Sequence, residues 1–157
     1  MISTKMITDR VKEILAGLYP ASTFYDHSVP ASIERPSFNV YLEADRSEDG
    51  SRMSTTETTS VGIEYFSPLT GPIPEELKPL AVYSNIKEYF RRGNIRVGDR
   101  SLKIVLLRGG RQDNEIFLIV KLVYADDRPQ YLNGLPQEEP AYDFMGDVNI
   151  STKNNNI

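Results

Sequence analysis

The chain has 157 residues, 39% hydrophobic and 25% charged, which fits one globular domain with a modest extension better than two domains. It contains no cysteine, so disulfides and thiolate metal sites are excluded. The formal net charge of -4 argues against general nucleic-acid binding, where basic domains are the norm, and leaves room only for a local basic patch.

The opening stretch, Met1 to Arg10, lacks the charged-then-apolar layout of a signal peptide. No apolar run approaches the roughly 20 residues that a membrane helix needs. Both features lead to the expectation of a protein made and used in the cytoplasm, without a membrane partner. The first predicted element is a helix from Thr4 to Leu18. Ile7, Val11, Ile14, Leu15 and Leu18 fall on one stripe, with Asp9, Arg10, Lys12 and Glu13 largely opposite. Ser3 or Thr4 supplies an N-cap, and Gly17 and Pro20 bracket the end.

Thr23 to His27 reads as a short strand, and Pro30 and Pro36 confine the next segment to a loop or an edge. From Ser37 to Asp45, Phe38, Val40 and Leu42 alternate with Asn39, Tyr41 and Glu43, which is strand periodicity. Arg46 to Thr56 is polar, contains Gly50, and reads as a long hairpin tip. Glu57 to Phe66 then forms a second strand, antiparallel to the first, with Thr59, Val61, Ile63 and Tyr65 on one face.

Pro68, Gly71, Pro72 and Pro74 interrupt regular structure. A second helix is predicted from Pro74 to Arg92, with Leu77, Leu80, Tyr83, Ile86 and Phe90 as its apolar stripe. Pro79 is compatible with it only in the first turn. Ile95–Val97 and Leu102–Leu107 form one bent strand or two short ones, and Gly109 and Gly110 open a turn that ends near Asn114. Glu115 to Tyr124 is the strongest strand. Ile116, Leu118, Val120, Leu122 and Tyr124 make one face, and Phe117, Ile119 and Val123 the other. Apolar residues on both faces imply a central strand covered twice, by helices on one side and by an oligomer contact on the other.

The expected fold is α+β: an antiparallel sheet with two helices packed on one side, over residues 1–126, followed by an extended arm over 127–157. The arm holds Pro129, Pro136 and Pro140, five acids against two bases, and no sustained period. Its Tyr131, Leu132, Leu135, Tyr142, Phe144 and Met145 suit docking on a partner or packing back on the domain.

Nothing in the sequence assembles a catalytic, cofactor or metal site. His27 is the single histidine, with no nucleophile at a recognisable spacing. Asp45, Glu48 and Asp49 cluster in the expected hairpin tip without the spacing of a calcium loop. Gly109-Gly110 is followed by no Gly-Lys-Ser/Thr, so it is read as a hairpin turn. One charge feature stands out. Arg91, Arg92, Arg96, Arg100, Lys103, Arg108 and Arg111 lie in one stretch with a single acid, Asp99. Three readings stay open: a solvated sheet edge, a basic face for an acidic partner surface such as a neighbour's arm, and a nucleic-acid patch.

The order of segments resembles the phage tail terminator family of tailed phages and defective prophages of Gram-positive bacteria. The likeness covers about Met6 to Asp126. It rests on the opening helix MITDRVKEILAGLYP and the strand, loop and strand in TFYDHSVPASIERPSFNVYLEA. It continues in TTSVGIEYFSP, the helix AVYSNIKEYF and the closing NEIFLIVKLVYADD. The segment from Arg128 onward departs from the shorter forms. The resemblance implies a structural protein, not an enzyme, without cofactor. Such proteins form a homohexameric ring at the neck end of the virion tail. The ring caps the tail tube, ends its polymerisation and offers a joint to neck or connector proteins; in contractile systems it also engages the sheath. A head-completion or neck adaptor fits the same composition, and a small nucleic-acid-binding factor is the rival from another class. The interface residues expected from all this are Arg91, Arg92, Arg96, Arg100, Arg108, Arg111, Phe117 and Ile119, with Tyr131, Tyr142 and Phe144 in the arm.

Overall fold

A computed structural model describes residues 1–113 and 115–128. The arm residues Tyr131, Tyr142 and Phe144 lie outside them. The first helix, α1 (Thr4–Leu18), begins where the Ser3 side chain accepts the Met6 N–H at 3.2 Å. That bond satisfies one of the orphan amides of the first turn. Ile7, Val11, Ile14 and Leu15 are buried, so the predicted stripe is the one the helix presents to the sheet. Each such side chain stabilises by about 1.5–3 kcal/mol.

The sheet is built from six strands: β1 (Thr23–Asp26), β2 (Ser37–Asp49), β3 (Ser54–Phe66), β4 (Asn94–Val97), β5 (Arg100–Gln112) and β6 (Glu115–Asp127). The second helix, α2 (Pro79–Phe90), lies between β3 and β4 in sequence. The strands are ordered β1-β2-β3-β6-β5-β4. All pairings are antiparallel except β1 with β2, so the expected antiparallel sheet carries one parallel edge. The segment 27–36, with its two prolines, brings the chain back to start β2 beside the start of β1, and Thr23 donates to the Pro36 carbonyl at 3.1 Å.

The structure corrects several boundaries. The polar stretch 46–56 is mostly strand: β2 and β3 stay paired out to Asp49 and Thr55. Thr, Ser and charged residues suit a paired ribbon exposed on both sides, and their polarity says nothing about where pairing stops. The second helix is split into a 3-10 turn at Glu75–Leu77 and α2, because Pro79 takes the first helical position, where its missing N–H costs nothing. Its buried residues are Val82, Ile86 and Phe90, while Leu80 is 67% exposed, so the stripe is rotated from the expected one. Gly109 and Gly110 are not a turn; both sit inside β5. A Cβ on Gly109 would lie 2.4 Å from the Phe117 carbonyl oxygen and 2.6 Å from the Tyr83 ring. Glycine here lets β6 and α2 approach the β5 backbone closely.

Both helices contribute to one core on one face of the sheet, with Val61, Ile63, Leu118, Val120 and Leu122 beneath them. Phe38 is its aromatic centre, with ring centroids 5.5 Å from Tyr19, 5.7 Å from Phe24 and 4.9 Å from Tyr65. Burial pushes the Tyr65 phenol up to about 12, and its O–H donates to the Leu77 carbonyl at 2.7 Å. The N-terminus is tied to the last strand, since the Ile2 N–H donates to the buried Asp126 carboxylate at 2.9 Å.

Candidate interaction surfaces

With the helices on one face, the alternation of the strands puts a second set of side chains on the other. Register aligns them in rows. One row runs Tyr41, Gly62, Ile119, Arg108 across β2, β3, β6 and β5. The next runs Asn39, Glu64, Phe117, Gly110. The Tyr41 ring lies directly over Gly62: a Cβ there would be 2.2 Å from the ring. Burial raises the Tyr41 phenol above its ordinary value. Ile119, beside Gly62, is only 4% exposed. Above this row Arg108 reaches over two strands to Glu43, with a 3.0 Å ion pair. Ile119 is therefore covered by side chains of its own sheet, a cover the alternation pattern did not reveal. Phe117 is half-buried.

His27 also has a structural place. Its φ of 64° ends β1, its Nδ1 lies 2.7 Å from Asp26, and its Nε2 accepts the Leu42 N–H at 3.2 Å. Leu42 borders the bulge in β2, where the ladder to β3 is interrupted. Burial opposes ionisation of Asp26, but hydrogen bonds from His27 and Lys12 outweigh it and hold the carboxyl below its usual range. Asp45, Glu48 and Asp49 do not converge: they bind Thr59, Arg46 and Arg128 respectively. Among the described residues, no group of three or more His, Asp or Glu is placed to hold a metal.

The basic stretch is dispersed. Arg91 caps α2 and pairs with Glu88 at 3.3 Å, and Arg92 stacks on Tyr89 with 4.4 Å to the ring centre. Arg96 on β4 turns back to the Gly98 carbonyl at 3.4 Å. Arg100 binds Asp127 at 2.6 Å and Asp126 at 3.5 Å. Arg108 stands over the open face, and Arg111 donates to the Asp113 carbonyl at 2.8 Å. Most of these cations are thus engaged within the chain rather than gathered into one patch.

The feature missed from sequence is the outer side of β5. β4 covers it only from Arg100 to Lys103, and Ile104 donates to the Gly93 carbonyl at 2.8 Å. From Val105 to Gln112 no described strand lies beyond it. A bulge between Ile104 and Leu106 leaves Val105 46% and Leu106 47% exposed. Beside them, Phe90, Arg91, Gly93 and Leu107 line a groove of about 220 Å³ under the end of α2. The unbroken apolar run Ile104–Leu107 was the available signal, since a regular half-buried strand alternates.

Among the described residues no helix is long and apolar enough to cross a membrane. A family model described as phage tail terminator protein matches residues 6–130. No curated protein matches the chain. Among solved structures, one chain is 12% identical with a TM-score of 0.43, the match covering 82% of this chain and 97% of that one.

Proposed function

Because the chain belongs to the phage tail terminator family, and is thereby a structural protein of the phage tail that works with other tail and neck proteins, we propose that it forms a ring capping the head-proximal end of the tail tube. The family match over residues 6–130 carries this reading. The tube grows by adding subunits to exposed strands and loops. A terminator ring engages those groups on one side and presents a different surface on the other, so the next tube ring finds no template. That second surface is the joint to the neck or connector. A closed ring uses heterologous contacts, each copy touching two neighbours through different surfaces. Among the described residues, the sheet face opposite the helices and the outer flank of β5 are two such different surfaces, which supports the reading. Arg108, Phe117 and Arg91 are the residues there that we assign to subunit or tube contacts.

The test is assembly of tails in cells lacking this chain, followed by adding back a labelled copy. Tubes of uncontrolled length without it, and label at one end of each normal tube with it, are expected. Normal tube lengths in its absence, or label along the whole tube, would overturn the proposal.

A further inference from the structure

We infer that His27 is a proton-sensitive latch: its neutral imidazole pins the bulge in β2, and taking up a second proton releases the bulge and loosens the Glu43–Arg108 pair on the open sheet face. The coupling involves described residues only and does not depend on the ring proposed above.

The latch sits where β1 stops. β1 ends at Asp26, and the His27 N–H donates to the Val40 carbonyl at 3.1 Å as the last bond between the two strands. Two residues further along β2, the Leu42 N–H points to the same edge. The chain has turned away there, with His27 at a φ of 64°, and β1 has no further residue to offer. The His27 ring takes over, and its Nε2 accepts the Leu42 N–H at 3.2 Å. A ring nitrogen that accepts carries no proton, so the proton of the neutral ring is on Nδ1, which donates to Asp26 Oδ1 at 2.7 Å. In the imidazolium both nitrogens are donors. Nε2–H would then face the Leu42 N–H, donor against donor, and the bond to Leu42 is lost while the bond to Asp26 is kept.

The charges around the ring come from three elements. On β1, Asp26 favours the imidazolium. On α1, Lys12 lies 3.2 Å from Asp26 and 3.4 Å from Asp9, and Lys5, also paired with Asp9, lines the recess beside His27. On β2, Glu43 follows Leu42. Burial opposes ionisation of Asp26, but the His27 and Lys12 hydrogen bonds hold its carboxyl below the usual range, and the Lys5 bond holds Asp9 low as well. Both acids therefore change charge at a lower pH than an imidazole does.

The consequence runs through one residue. The β2–β3 register passes from Leu42–Val61 to Ala44–Ser60, so Glu43 is the extra residue of the bulge and has no partner on β3. Its carboxylate holds Arg108 at 3.0 Å. The backbone that places Glu43 is fixed at Leu42 by the ring of His27. Acidification frees Leu42, and Arg108 loses a fixed partner; raising the pH restores both.

His27 is the sole histidine, so its ring signals in a magnetic resonance titration are unambiguous. The full chain is titrated from about pH 8 to pH 5. Exchange of the Leu42 amide, corrected for the intrinsic pH dependence of exchange, is expected to rise about tenfold or more. The Arg108 Nε–H signal should shift with it, both at the midpoint of the His27 ring titration. His27→Gln keeps a side-chain carbonyl that takes up no proton, so both readouts should stay flat over the same range. Leu42 protection that ignores the ring titration would overturn the inference. So would a change that comes only at more acid pH, after the ring signals have levelled off, which would put the switch in a carboxyl. A freed Leu42 with an unmoved Arg108 signal would overturn the coupling to the open face. If His27→Gln fails to fold, coincidence of the three midpoints in the unaltered chain decides.

Discussion

The two faces of the same sheet carry apolar residues under different rules. On the covered face, α1 and α2 bury a continuous cluster, and Phe38 touches three other rings there. On the open face, burial is local: Tyr41 lies over Gly62, and with the Arg108–Glu43 pair above the same row it shields Ile119. The covered face is a folding surface and tolerates little. The open face is sealed instead by a few side chains of the sheet itself, the Tyr41 ring and the Arg108–Glu43 pair.

Substitutions can break or sharpen this contrast. The largest effect is expected for Phe38→Ala, which empties a site with no exposure on the covered face. About 3–5 kcal/mol of unfolding free energy should be lost, read as a drop in the denaturant midpoint. A loss near zero would show that the helix layer is not what holds the sheet. An intermediate effect, about 1–3 kcal/mol, is expected for Gly62→Ala. The added methyl collides with the Tyr41 ring and must push it off the open face. Ile119 should become accessible, measurable as faster hydrogen exchange in β6 around it. Unchanged stability would mean that the Tyr41 cover is dispensable. The smallest effect is expected for Arg108→Ala. Its ion pair is exposed, so about 0–1 kcal/mol of stability is at stake. Formation of the proposed ring, measured by mass in solution, should weaken nevertheless. A variant equally able to assemble would remove Arg108 from the contact surface.

Much of the fold was legible because local periodicity is a local property. The α1 stripe, the antiparallel β2–β3 pair and the inward face of β6 follow from spacing, and of the two candidate caps, Ser3 and Thr4, the structure uses Ser3. The Pro79 condition was met in the one way available to it, at the first helical position. The misreadings share a cause. Gly109 and Gly110 read as a turn because glycine signals both bends and close approach, and only the nearness of Phe117 and Tyr83 distinguishes the two. The basic stretch left three readings open, because two of its cations, Arg108 and Arg100, find their partners Glu43 and Asp127 far away in sequence.

By itself the sequence determined the element types, the α+β class, the residues of the helix-facing core and the resemblance to tail terminators. Those rest on alternation and capping, which are set by neighbours a few positions away. The tertiary structure alone decided the strand order, the parallel edge, the row that covers Ile119 and the stretch of β5 without a neighbour among the described strands. Each of these depends on which strand lies beside which, and that is fixed by contacts between residues tens of positions apart that no local pattern encodes.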